Sequence, residues 1–299
     1  MFFLAFLNLA GCGGTSRSMM TPSGGTAVPA QDHVFLVVLE NHSFSQVIGS
    51  PSMPYLNSLA SQHGLATNYF ANVHPSIGNY FMLTVGAIET VDNTFTGIIT
   101  DNNIVRVLTA SGKSWKAYLE SVPSQGYLGN DVSPYLKHHN PFAYLSDVVN
   151  SSAQAANLVP FSQLSADLAS GKLPNFAYIL PNAQDDAHDC PGGALICNDS
   201  DLLTAADTWL KNNIDPLINS PAFGNSVLII TWDESVLTDL ANVGGQVATV
   251  LVGPRVKPGF RSTVQHQHQD TLRSILQALQ VSNMPNAAAT ANSMGEFFQ

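Results

Sequence analysis

Two apolar runs in this chain end in the same way, and that repetition constrains the fold more than any other feature. Phe35–Leu39 runs straight into Glu40-Asn41, and Val227–Ile230 leads through Thr231-Trp232 into Asp233-Glu234. Runs this rich in Val, Ile and Leu read as strands buried on both faces of a sheet. Side chains alternate along a strand, so two adjacent polar residues cannot both enter one cleft from within it. Just past the strand end both can turn toward a common point, at the edge where open α/β sheets place their ligands. Two such ends side by side gather three carboxylates and an amide, which is hard oxygen ligation for a divalent cation.

The remaining pattern alternates strands with helices. Strands are expected at His33–Leu39, Ser114–Tyr118, Asn175–Leu180, Val227–Trp232 and Val247–Val252. Helices are expected at Met53–Gln62, Ile77–Val85, Asn103–Ser111, Phe161–Ser170 (stopped by Gly171), Leu202–Ile218 and Asp270–Leu279. Gly126–Ser133 and Asn182–Asp199 read as loops. That alternation predicts a three-layer α/β/α sandwich with a largely parallel central sheet, formed by one domain over 32–299.

Of the 299 residues, 45% are hydrophobic, enough for a large core, and only 11% are charged, with a formal net charge of −10. That balance argues against a nucleic-acid surface, which needs a basic face. Residues 1–12 read as a targeting segment. Phe2–Leu9 is too short to span a bilayer. The Leu9-Ala10-Gly11-Cys12 run that follows resembles a bacterial lipoprotein cleavage box, with Cys12 as the lipidated first residue of the mature protein. Residues 13–31, rich in Gly, Ser, Thr and Pro, then form a tether. The expectation is an exported protein, periplasmic or on the cell surface, touching a membrane only through a lipid at Cys12. An oxidising compartment favours a local disulfide between Cys190 and Cys197 over a Cys/Cys metal site, because no second cysteine pair completes a tetrahedral set.

Ser76, in His74-Pro75-Ser76, falls at the start of an expected helix. A serine there ordinarily just caps the helix. The same place also stabilises an anion through unpaired N–H groups and the helix dipole, so Ser76 could attack phosphorus, with Asn79 near the same helix end. It becomes a good nucleophile only if its proton is removed or its oxygen binds a metal, which the two acidic strand ends would hold. Asp185-Asp186-Ala187-His188-Asp189 follows an apolar strand, His266 and His268 precede the last helix, and His138-His139-Asn140-Pro141-Phe142 forms a further polar cluster. Each alone reads as readily as solvated surface.

Taken in order, Glu40-Asn41-His42-Ser43-Phe44, His74-Pro75-Ser76 with Asn79-Tyr80, His139-Asn140-Pro141-Phe142, Asn182 through His188-Asp189, and Thr231-Trp232-Asp233-Glu234 are similar to the motifs of one family. It is the phosphoesterase family of bacterial and fungal acid phosphatases and bacterial phospholipases C, within the alkaline-phosphatase-like superfamily. The similarity covers about residues 33 to 280. It implies that Glu40, Asn41, Ser76, Asp233 and Glu234 bind one divalent ion (Mg, Ca, Mn, Zn or Fe), with Ser76 also the nucleophile. It implies further that Asn79 contacts phosphate, and that His188, Asp189 and His268 occupy the remaining active-site positions. There His188 or His268 would assist the leaving group and Asp189 would help bind substrate. Two positions depart from the pattern: Asp185 stands where asparagine is expected, and Gln246 where relatives often carry histidine.

The resemblance therefore implies a metal-dependent phosphomonoesterase of the acid-phosphatase type, acting on a small phosphate ester through a phosphoserine on Ser76. A phospholipase C or other phosphodiesterase is the alternative reading. A non-catalytic surface-anchored binding protein fits less well, since it has no need of Ser76 with four oxygen ligands. A sulfatase would want an Arg close to the nucleophile, and Ser76 has none near it.

Overall fold

The computed structural model describes residues 27–299. The expected targeting segment 1–12 and most of the tether, 13–26, lie outside the described residues. The end of that tether is docked rather than loose. Val28 and Gln31 are buried, and the Gln31 N–H donates to the Ala278 carbonyl at 2.8 Å.

Among the described residues there are ten strands: β1 His33–Leu39, β2 Gly64–Ala66, β3 Tyr69–Phe70, β4 Trp115–Leu119, β5 Leu158–Pro160, β6 Phe176–Leu180, β7 Ser226–Trp232, β8 Thr249–Val252, β9 Phe260–Ser262 and β10 His266–Gln267. Eight of them form one sheet in the order β5-β4-β6-β1-β7-β8-β2-β9, and β10 pairs with β3 in a separate ribbon. All neighbours in the large sheet are parallel except β8, which runs antiparallel to β7 and β2. Every residue of β6 and β7 and all but the first of β1 are buried, as a sheet covered on both faces requires. The short β5 and β9 lie at the edges, where a brief strand leaves few unpaired backbone groups.

Helices cover the sheet. The Pro54–Gln62 helix packs on the Asp199–Ile218 helix, and the Ile77–Thr84 helix on the His268–Ala278 helix. The first pair is locked electrostatically: the Asp207 carboxylate accepts the Tyr55 and Leu56 N–H groups at 2.9 and 2.8 Å, placing an anion on the helix N-terminus. The Asp199–Ile218 helix begins three residues before the expected Leu202, because Asn198 caps it and Asp199 and Asp201 complement the first turn. The last helix likewise begins at His268 rather than Asp270. The expected disulfide joins Cys190 and Cys197. Among the described residues, no helix is long and apolar enough to cross a membrane.

The register decides where the polar strand ends meet. Leu39 of β1 pairs with Trp232 of β7, and the Asp233 N–H donates to the Leu39 carbonyl at 2.9 Å. Glu40-Asn41 and Asp233-Glu234 therefore leave the sheet side by side. On the other flank of β1, the Glu40 N–H donates to the Asp186 carbonyl at 2.8 Å, so the loop after β6 closes on the same point.

Candidate active site

Asn41 adopts a left-handed conformation (φ 56°), which asparagine tolerates better than most residues, and this turns the chain sharply just after β1. Its N–H donates to Asp233 Oδ1 at 3.2 Å, stitching the two strand ends together. Ser76 stands at the start of the Ile77–Thr84 helix, but its side chain makes no capping bond. The hydroxyl instead lies between two carboxylates, 3.2 Å from Glu40 Oε2 and 3.1 Å from Glu234 Oε1. Five residues expected to act together, Glu40, Asn41, Ser76, Asp233 and Glu234, thus come together from three elements far apart in sequence.

Burial and crowding shape their electrostatics. Burial, with the charges of Asp233 and Asp186 beside it, pushes the Glu40 carboxyl well above its ordinary range. Burial and then Glu234 raise Asp233 to about 8, and burial raises Glu234 to about 7. Burial also lifts Asp186. Packing this much carboxylate into a dry site is costly unless positive charge compensates it. The Asn41 Oδ1, Asp233 Oδ2, Asp186 Oδ2 and His139 Nε2 atoms are buried with no hydrogen-bond partner, another cost that a cation would remove. Oxygen-rich, unsatisfied and electron-dense, this donor set fits a divalent ion.

Four further residues belong to the cluster although they were not singled out as site residues. His74 Nδ1 bonds Glu234 Oε2, while His74 Nε2 lies 3.1 Å from the Asp239 carbonyl. The Tyr80 hydroxyl donates to Glu40 Oε1, its place on the helix face of Ser76 following from the spacing of four. His139 stacks on Tyr80 and sits between Glu40 and Asp186, its two ring nitrogens each 3.4 Å from a carboxylate oxygen. Burial, and then the neighbouring His138 and His188, hold His139 neutral by lowering its pKa well below 6.5. One ligand atom from each of Glu40, His139 and His188 lies within 4.8 Å of the other two, a second donor group sharing Glu40. His74, Tyr80 and His139 were all visible inside the quoted motifs, and Asp186 inside the acidic loop.

A cavity of about 410 Å³ opens beside Ser76, with Asn41, Glu234 and His188 on its walls. His188 Nδ1 bonds Asp189 Oδ1 at 2.8 Å, so Asp189 orients the ring. Asn93 lines the same cavity, and its Oδ1 accepts the Ile77 N–H at 3.2 Å. Two expected contacts sit elsewhere. Asn79 is buried, with Oδ1 accepting the Asn72 and Val73 N–H groups (2.9 and 3.2 Å) and Nδ2 donating to the Val73 carbonyl (2.7 Å). Its amide secures the segment leading to Ser76. His268 is also buried, Nε2 at 2.6 Å from the Asp233 carbonyl and Nδ1 at 3.0 Å from the Tyr69 hydroxyl. Burial lowers its pKa to about 4, and it lies off the cavity wall, where it positions Asp233.

The sequence profile of the Phosphoesterase family matches residues 50–282. This chain belongs to that family. It is a hydrolase acting on phosphoric ester bonds. A phosphatidylinositol-3-phosphatase of Mycobacterium tuberculosis is 30% identical over 251 residues, 81% of this chain and 75% of that protein. A probable acid phosphatase of Kluyveromyces lactis is 29% identical over 254 residues, 81% of this chain and 56% of that one. An acid phosphatase of Aspergillus fumigatus is 30% identical over 244 residues, covering 78% and 51%. The chain thus spans only about half the length of these two fungal family members. Among solved structures, a Vibrio parahaemolyticus protein in the alkaline phosphatase superfamily superimposes with a TM-score of 0.63 at 13% identity, covering 87% of this chain and 69% of that one. A lipoteichoic acid synthase of Listeria monocytogenes gives 0.60 at 12% identity, covering 89% and 78%. The family's fold here is therefore alkaline-phosphatase-like.

Proposed function

We propose that this chain is a metal-dependent phosphomonoesterase of the acid-phosphatase type that works through a phosphoserine on Ser76. The observation that carries the reading is the Ser76 hydroxyl, spared from capping its helix and held between Glu40 and Glu234 at the floor of an open cavity. A divalent cation would be held by Glu40, Asn41, Asp233 and Glu234 together with Ser76. When bound, it would supply the positive charge that offsets the carboxylates, acidifies the serine hydroxyl and stabilises charge on the phosphoryl group.

The chain's own groups account for the proton traffic. Ser76 Oγ attacks phosphorus as its proton passes to Glu234, whose Oε1 already accepts it. The bond from phosphorus to the alcohol oxygen breaks, and His188, on the cavity wall and oriented by Asp189, gives that oxygen a proton. Water entering the vacated side then attacks the phosphoserine, losing a proton to His188. The bond to Ser76 breaks and Oγ recovers its proton from Glu234. His74 and Tyr80 hold the two carboxylates in place throughout.

Export and lipidation at Cys12 belong to the same reading, supported by the Cys190–Cys197 disulfide, which suits an oxidising compartment. Turnover of an aryl phosphate monoester, an aryl phosphodiester and phosphatidylcholine by wild type and Ser76→Ala tests the proposal. Monoester turnover should dominate, and Ser76→Ala should lower it on the order of 10³-fold or more. Diester turnover well above monoester would replace the reading with a phosphodiesterase.

A further inference from the structure

The phosphatase reading leaves open which alcohol departs, and the cavity beside Ser76 has both polar and apolar lining residues. Ser76, Glu234 and His188 are among its polar lining residues, and Pro75, Val236 and Leu237 are its apolar ones. None of the described residues lining it is Lys or Arg. Leu237 lines this cavity while 70% exposed, and Leu240 close by is 69% exposed. A large aliphatic side chain exposed at the lining of a cavity gives an apolar ligand group something to cover.

These leucines are carried by a built loop rather than a loose one. Asp239 accepts the Ala241 N–H at 3.1 Å through Oδ1 and the Gln246 N–H at 3.0 Å through Oδ2. Its carbonyl lies 3.1 Å from His74 Nε2, two residues before the nucleophile. Gly245 (φ 77°) closes the base so tightly that a Cβ there would fall 1.7 Å from Ser235 Oγ. The loop therefore presents Val236 and Leu237 at a fixed distance from Ser76.

In-line displacement sends the leaving alcohol away from Ser76, into the cavity that Val236 and Leu237 help to line. We propose that Val236 and Leu237 are specificity-determining residues that select phosphate monoesters whose alcohol portion is apolar; this rests on the phosphatase reading above. Polar groups at Pro75, Val236 and Leu237 would lose water against apolar side chains, and an anionic alcohol portion would find no Lys or Arg among the described residues lining the cavity. The apolar alcohol can be free in solution or part of a lipid.

The test uses the full chain and the series methyl, butyl and hexyl phosphate, with glucose 6-phosphate, and with phosphatidic acid in phosphatidylcholine vesicles. In wild type, kcat/KM should rise about threefold to fourfold per methylene until the apolar wall is covered. Glucose 6-phosphate should fall below hexyl phosphate. Leu237→Asp should flatten the series, and Leu195→Ser, an exposed leucine away from this cavity, should keep the slope. Vesicle turnover in addition to a rising series identifies lipid as one source of the alcohol. A flat series in wild type overturns the proposal, even if vesicles are hydrolysed, as does a Leu237→Asp slope equal to wild type. Absence of turnover on every monoester overturns the proposal and the phosphatase reading together.

Discussion

Among the described residues, the clusters of carboxylate and histidine around His266 and around Ser76 are built on opposite rules. At the start of β10, His266 is closed off: Nδ1 lies 3.0 Å from Asp270 Oδ2 and Nε2 2.7 Å from Glu296 Oε1. The carboxylates there are satisfied in turn, by the Asn292 and Gln267 N–H groups on Asp270 and the Ser262 hydroxyl on Glu296. Around Ser76, by contrast, Asn41, Asp233, Asp186 and His139 each keep an unpartnered buried atom. The titration behaviour follows. Glu296 is half-buried and held below its ordinary range by His266, whereas Glu40, Asp186, Asp233 and Glu234 are all raised. A cluster that only holds the fold completes its own hydrogen bonds; one that leaves them open is built for something that arrives.

The comparison breaks most readily through pH. Burial alone would lower the His266 pKa, but its bonds to Asp270 and Glu296 outweigh this and push it up to about 9 from 6.5. A pKa raised in the folded state stabilises fully below pH 6.5 and is lost as pH rises through 9. That window is worth about 3 kcal/mol at 1.36 kcal/mol per unit. His266→Gln should be less stable at pH 6 and should lose the wild-type decline in urea midpoint between pH 6.5 and 9. An unchanged decline would show that the cluster contributes nothing to it.

The open cluster should respond to cations instead. A divalent ion at 100 times its Kd should stabilise wild type by about 2.7 kcal/mol, read as a rise in Tm. Asp233→Asn should lose that rise. In chelator above pH 8, where Asp233 is ionised, it should melt slightly above wild type, by roughly 1 kcal/mol, because a buried charge is removed. Asp270→Asn in the closed cluster should melt lower. An Asp233→Asn protein that melts well below wild type in chelator would mean the two clusters are alike.

Much of this was legible in the chain, and the gaps have physical causes. β1 was read to the residue and β7 nearly so, because continuous Val, Ile and Leu ending in acids leaves few other folds. β2, β3, β5, β9 and β10 are two or three residues each and take their conformation from neighbours, so no periodicity announces them. Ser76 and its oxygen partners were legible because strand ends and a helix start fix position. The directions in which Asn79 and His268 point are not legible, because an element's end says where a side chain begins, not where it points. Asn79 lies in the same first turn as Ser76, yet its amide folds back on residues 72 and 73. His139 and Asp186 reach the cluster from separate loops, and only the folded chain brings them to Glu40.

The claim that Ser76 carries the phosphoryl group is tested most directly by acid-quenching the enzyme during steady turnover of an aryl phosphate and sequencing its peptides by mass spectrometry. The account predicts one phosphoryl group, on the peptide containing Ser76 and on that hydroxyl, absent from Ser76→Ala. Steady turnover with Ser76 unmodified, or by an active Ser76→Ala protein, would contradict it.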